Sequence, residues 1–390
     1  MTSEDKSPVY LDNNASTPPL PSVREAVAQA LGPEFSNPSS AHSLGAAGMR
    51  LLAQAREHLA NLLGAEISGI YFTGSGTEAN NWAIRSAFAS GARNRRLITT
   101  PIEHSSVLKQ ASFLAETEGL DVAYVPVHAT GQVDTAALER LIDDRTDLVS
   151  VQWVNNETGV VQPVQEIRRI CRDRDIPFHT DAAQAVGKLA VDLTALDADY
   201  VTLTGHKFHG PQGVGALIAN GRAHVAAWLN GGGQEGGLRA GTENMPGIVG
   251  LGKAAELRRE RFSEVMEQIR RLRDRFESRL LQEVKEIEVN GTPQERVENT
   301  SNLLFRGVEG QALMAQLDRI GIYCSQSSAC TNSRPEPSYV LRAMGLSEDE
   351  AYASVRFSFS EMNSLEDVDW AVDRIAEIVE SLRAFARMGA

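Results

Sequence analysis

The chain is predicted to be an α/β protein: a large domain on a mostly parallel sheet flanked by helices, followed by a smaller α+β domain. Three observations carry this expectation. From Gly69 to Lys207 short apolar runs alternate with helix-like segments. Polar residues follow the apolar runs at their carboxyl ends. A long amphipathic stretch, Leu251 to Lys285, then separates this region from a shorter mixed remainder. A length of 390 residues, against about 150 per domain, leaves room for two.

Taken in chain order, Gly69-Ile70-Tyr71-Phe72 is the first strand of this region and runs into Thr73-Gly74-Ser75-Gly76-Thr77-Glu78, then into a helix through Trp82, Ile84 and Phe88. Arg96 to Thr100 leads to Glu103-His104, and Asp147 to Val154 leads to Asn155-Asn156-Glu157. Pro177 to Thr180 delivers Asp181 and, one helical turn on, Gln184; Asp199 to Leu203 ends in Thr204-Gly205-His206-Lys207. Ligands of open α/β sheets bind beyond the carboxyl ends of strands, so one site can collect all five junctions. In the long stretch, Leu257, Val265, Ile269, Leu272, Phe276 and Leu280 recur at helical spacing, which makes it a connector helix. Near the end, Ser364-Leu365-Glu366-Asp367 has the capping-box pattern before the apolar face Val368, Val372, Ile375, Val379 and Leu382. The domain boundary is expected near residue 262, giving a large domain 15–262 and a small domain made of 1–14 and 263–390.

Charge and composition exclude several classes. The 42% hydrophobic and 23% charged fractions are ordinary for globular proteins. A net charge of −13 repels phosphate backbones and anionic lipid, which argues against nucleic acid and membrane as partners. No run approaches the roughly 18 apolar residues of a membrane span. Met1 to Lys6, with Glu4 and Asp5, lacks the basic-then-apolar signature of a signal peptide, so a cytoplasmic location is expected. Three cysteines suit a reducing compartment. Cys171, among Ile167 and Ile170, reads as a small core residue, and Cys324, after Ile322-Tyr323, is expected to pack. Cys330 lies in the polar run Ser325 to Pro335, which reads as a surface loop where a thiol is available for chemistry.

Each junction has a plain reading beside a chemical one. Thr73 to Thr77 offers backbone N–H groups, hydroxyls and a helix N-terminus, a cradle for one phosphate, yet it also reads as an ordinary turn. Asp181 reads as a cap for a helix through Val186, and His104 as a satisfied polar residue. Lys207, between His206 and Phe208 and near His209, becomes an amine nucleophile if its site is enclosed. The order changes the weighting: phosphate cradle, imidazole, acid and lysine, each at a strand end. Pyridoxal 5'-phosphate requires this set, with a carboxylate on its pyridinium nitrogen and a lysine for its aldehyde. Rival motifs lack context. Gly231-Gly232-Gly233-Gln234-Glu235-Gly236 matches the dinucleotide fingerprint without the flanking strand and helix. The histidines and cysteines fit no zinc spacing, so no metal is expected, and G-x-S-x-G is absent.

These motifs resemble those of the NifS/IscS-type cysteine desulfurases, class V members of the fold-type I pyridoxal-phosphate enzymes. The resemblance runs from Tyr10-Leu11-Asp12-Asn13-Asn14-Ala15 through Phe35 to His42, Thr73 to Asn80, Val154 to Glu157, His179 to Gln184, Gly205-His206-Lys207, Arg239-Ala240-Gly241-Thr242-Glu243-Asn244 and Ser328 to Arg342, ending near Ser354 to Ser358. It implies that Lys207 carries the cofactor and moves protons, that Asp181 partners the ring nitrogen and that His104 stacks on the ring. It further implies a phosphate held by Gly76, Thr77, Thr204 and His206, with Thr242 supplied to the other subunit of a homodimer. Asn156 and Gln184 would meet the ring hydroxyl, Arg356 with Asn156 the substrate carboxylate, and Cys330, on a loop of about 325–337, would take the sulfur of L-cysteine for an acceptor protein in iron–sulfur cluster assembly or another thio-modification pathway. A selenocysteine lyase, or another class V aminotransferase or lyase, is the alternative. Two departures stand out: Gln326-Ser327 replaces a glycine-bearing approach to the cysteine, and the chain ends at Ala390 before the longer tail of housekeeping members, which leaves the acceptor open.

Overall fold

The computed structural model describes residues 7–32, 36–89, 95–326 and 336–388. Cys330 and most of the loop expected around it lie outside the described residues.

Seven strands make the central sheet, in the spatial order Ile70–Thr73, Gly215–Ala219, Tyr200–Thr204, Phe178–Asp181, Thr146–Ser150, Arg96–Thr99 and Asp121–Tyr124. Only Gly215–Ala219 runs against its neighbours; the last five strands are mutually parallel. Tyr200–Thr204 and Gly215–Ala219 are buried at every position, as strands covered on both faces must be, and neither carries a charged residue. One core joins Ile98, Val149, Phe178 and Val201 of the sheet to Leu52 and Leu59 of the helix Ser43–Leu63 and to Leu251 and Ala255.

Those last two residues belong to the connector, a helix of 39 residues, Met245–Glu283. It starts six residues before the apolar period shows, because Gly247, Gly250 and Gly252 interrupt the pattern. Gly252 has a packing reason: a Cβ there would lie 2.5 Å from Cα of Ala55, so the helix seats directly on Ser43–Leu63. Asn244 caps its N-terminus, accepting from Gly247 N at 3.2 Å. Farther along, Val265, Ile269, Phe276 and Leu280 enter a second core with Phe357, Phe359, Val372 and Ile375.

That second core packs under an antiparallel sheet in which Thr300–Phe305 lies between Ile287–Val289 and Ser354–Ser358. The N-terminal strand Val9–Tyr10 pairs parallel with Ile322–Tyr323, and Asp12 bridges to Ser358. The closing helix Leu365–Met388 starts with a reciprocal cap: Asp367 N donates to Ser364 Oγ at 3.1 Å and Ser364 N to Asp367 Oδ2 at 3.0 Å. Among the described residues no helix is long and apolar enough to cross a membrane.

One local expectation differs. The chain after Asp181 does not form a helix through Val186 but a series of tight turns, with Val186 bridged to Leu189. Gly187 stops helical propagation with φ +79°, and a Cβ there would lie 2.5 Å from Cβ of Phe208.

Candidate active site

A cavity of about 320 Å³ opens at the carboxyl ends of the parallel strands, a volume typical of small-molecule sites. Gly76, Thr77, His104, Asn156, Asp181, Gln184, Thr204, His206, Lys207 and Arg356 all line it. Thr242 does not; it is exposed, on a segment tied to the cradle by an Arg239 Nε–Glu78 Oε1 contact of 2.9 Å. Glu78 Oε2 in turn accepts from Gly74 N at 2.6 Å, and this fixes the turn before the helix Gly76–Ala89. The first N–H groups of that helix face the cavity with the positive end of its dipole.

Asp181 ends its strand, with Oδ1 accepting from Ala183 N at 2.9 Å and Oδ2 from Asn80 Nδ2 at 2.7 Å. The same Asn80 nitrogen donates to Ser106 Oγ at 2.9 Å, and Ser106 Oγ lies 2.7 Å from His104 Nδ1. Ser106 N also donates to that Nδ1, at 3.2 Å, so the lone pair sits on Nδ1 and the ring proton on Nε2. Burial lowers the His104 pKa, which favours this neutral form.

Lys207 Nζ donates to Asn14 O at 2.5 Å and Ala15 O at 2.9 Å. Burial first, and Arg356 next, bring its pKa down to about 8, while Asp12 and Asp181 oppose the change. His206, its Nδ1 3.2 Å from Ser16 Oγ, is brought down to about 4 by burial and by Lys207. The Thr204 hydroxyl donates to Val214 O at 3.2 Å. Arg356 is fixed by two contacts, Nη1 to Asn156 O at 3.0 Å and Nη2 to Asp12 Oδ1 at 2.7 Å, which aim the guanidinium plane.

Three contributors escape a reading of motifs by their chemistry. Asn14 sits among the cavity residues Lys207, Gln184 and Asn156, bonding the side chain of the first two and the main-chain carbonyl of the third. Asn80 orients Asp181 from inside a helix. Lys188 lies buried behind Gln184. Their sequence signal is weak, because asparagine at a turn or in a helix and lysine near a strand usually face water. Cys171 is fully buried and its thiol is pushed up to about 12 by burial, which leaves it inert as a nucleophile.

The cavity fits pyridoxal phosphate on independent grounds. Asn156 Oδ1 and Arg356 Nε are buried without a hydrogen-bond partner, and a ligand in the cavity would satisfy them. A helix N-terminus, a depressed lysine and a buried carboxylate around one cavity match the phosphate, aldehyde and pyridinium nitrogen of that cofactor.

Fold and cavity together define a pyridoxal-phosphate enzyme of the mostly parallel α/β type. The chain belongs to the family described as aminotransferase class-V, which it matches over residues 9–370. It is 44% identical over 380 residues to a cysteine desulfurase of Nostoc sp., covering 97% of this chain and 95% of that one. To a cysteine desulfurase IscS of Methanosarcina thermophila it is 42% identical over 384 residues, 98% of this chain and 94% of the other. A solved structure described as a NifS-like protein superposes with a TM-score of 0.90 at 36% identity, over 96% of this chain and 100% of that one. A second, described as SspA in complex with cysteine, gives 0.81 at 36% identity, over 91% and 100%.

Proposed function

We propose that this protein is a cysteine desulfurase that converts L-cysteine to L-alanine and leaves the sulfur as a persulfide on Cys330. In balance, the Cβ–S bond of the substrate breaks, an S–S bond forms on Cys330 and a proton replaces sulfur on carbon. Bound pyridoxal phosphate supplies an electron sink for the carbon that loses its proton.

The residues around it do the rest. Gly76, Thr77, Thr204 and His206 would hold the phosphate, Asp181 would keep the ring nitrogen protonated, and Asn156 and Gln184 would contact the ring hydroxyl. Arg356, its plane fixed by Asp12 and Asn156 O, grips the substrate carboxylate. Lys207 Nζ, with a pKa of about 8, can both give and take a proton near neutral pH. His104, which lines the cavity, would stack on the ring and offer its Nε2–H to the substrate thiol. Thr242 completes the phosphate site of a partner subunit in a homodimer, and a cytoplasmic setting keeps Cys330 reduced. The persulfide then passes to an acceptor protein of cluster assembly or thio-modification.

The observation that carries this reading is the anchoring of both ends of the stretch bearing Cys330. Ser325 pairs with Arg356, by Ser325 N to Arg356 O at 3.2 Å and Arg356 N to Ser325 O at 2.6 Å. At the other end, Ser338 Oγ donates to Glu157 Oε2 at 2.5 Å and Tyr339 OH to Glu103 O at 2.7 Å, one residue before His104. Ser325 thus lies beside Arg356, and Tyr339 beside the residue that precedes His104. Purified protein with L-cysteine and a reductant is expected to release alanine and sulfide in equal amounts, and Lys207→Ala to release neither. Turnover of L-selenocysteine with none of L-cysteine would favour the selenocysteine lyase instead.

A further inference from the structure

Behind the cavity wall lies a lysine that the proposed chemistry does not use. Lys188 is 6% exposed, and its Nζ donates to Asn14 Oδ1 at 2.8 Å and to Gln184 Oε1. Burial first, and then the cationic groups facing it, Lys207 after its strand, Arg356 on the small sheet and Arg258 on the connector helix, hold its pKa well below the ordinary lysine value. An amine kept here against that repulsion needs a reason other than charge pairing.

The reason lies in what it bonds. A glutamine amide has one acceptor oxygen and one NH₂ donor group. Gln184 turns its oxygen to Lys188, behind the wall, and gives one N–H to Asn14 O at 2.9 Å, so its second N–H is the free donor for the cavity. Asn14 is equally constrained: Oδ1 accepts from Lys188 and from Asn299 Nδ2 at 3.0 Å, and Nδ2 donates to Thr300 Oγ1 at 2.8 Å. Its main-chain oxygen is the acceptor for Lys207 Nζ.

We propose that Lys188 is a positioning residue, which holds Oε1 of Gln184 away from the cavity and thereby commits Gln184 to donate a hydrogen bond to the bound group. This rests on the proposed function, in which Gln184 faces the ring hydroxyl. A donor there favours the anionic oxygen and lowers the pH at which the visible band of the loaded protein titrates. Without Lys188 the amide is free to turn its carbonyl inward, and the midpoint rises.

The test is the pH titration of that band in protein loaded with pyridoxal phosphate. Lys188→Met, of similar volume, is expected to raise the midpoint by roughly one pH unit, the scale of one lost hydrogen bond to a charged group. Gln184→Met is expected to raise it similarly, and the double variant no further than Gln184→Met alone, since the lysine acts through the amide. Lys188→Gln, able to reach only one of the two oxygens, is expected to move the midpoint in the same direction by less, and serves if Lys188→Met does not fold. A mere packing role would alter urea stability and leave the midpoint in place. An unchanged midpoint in the lysine variants, or shifts that add in the double variant, overturns the inference alone. A wild type that gains no visible band with pyridoxal phosphate overturns the proposed function and this inference together.

Discussion

The state of Lys207 Nζ decides whether the cavity works near neutral pH. Only the neutral amine attacks an aldehyde, and burial beside Arg356 sets its pKa at about 8, against 10.5 for an ordinary lysine. The sign follows directly: below pH 8 each unit of pH raises the neutral fraction roughly tenfold, and above it the gain levels off. The rate at which the cofactor-free protein takes up pyridoxal phosphate is therefore expected to rise through pH 8 and then flatten, as stopped-flow absorbance would record. A rate still rising tenfold per unit well above that pH would mean that Lys207 keeps its ordinary basicity. Lys207, Asp181 and His104 were legible as residues of one cavity because each follows an apolar strand. Lys188 and Asn80 were not, because nothing in a linear pattern says that a lysine or an asparagine is buried by a neighbouring helix.

At the scale of elements, backbone geometry brings these side chains together. The turns after Asp181 depend on Gly187, whose φ of +79° and contact with Phe208 exclude a side chain. Here helical spacing was the wrong guide: Asp181 and Gln184 share the cavity through turns closed by Ala185 N to Ala182 O at 2.9 Å. Gly187→Ala is expected to cost about 2–4 kcal/mol, from left-handed strain added to overpacking, measured by urea unfolding. It should also weaken cofactor retention, because Lys188 follows directly. A loss below about 0.5 kcal/mol would show that the turn tolerates a Cβ. The connector helix makes a related point: its second half was legible from Leu257 to Leu280, whereas its first turns were hidden by glycines, of which Gly252 lets it lie against Ser43–Leu63.

Across the whole molecule, two cores share one helix, and the cavity draws from both sides of that arrangement. Lys207 and Asp181 come from the large sheet, while Arg356 comes from the strand Ser354–Ser358 and Asn14 from the N-terminal segment beside it. The α/β class and the parallel sheet were legible because buried strands leave apolar runs with polar ends. The meeting of the N-terminal segment, the small sheet and the parallel strands was not, since contacts 344 residues apart, such as Arg356 to Asp12, leave no local pattern. We propose the domain division near residue 262, between the part of the helix that enters the first core and the part that enters the second.

The central claim is that the cavity removes sulfur from L-cysteine and delivers it to Cys330. Mass analysis of the Cys330 peptide after one turnover without reductant tests it most directly. The account predicts one added sulfur atom on that peptide, one alanine per chain, and neither in Cys330→Ser, which should still bind L-cysteine and change its visible spectrum. Added sulfur on Cys324 or Cys171 instead, or full alanine production by Cys330→Ser, would contradict it.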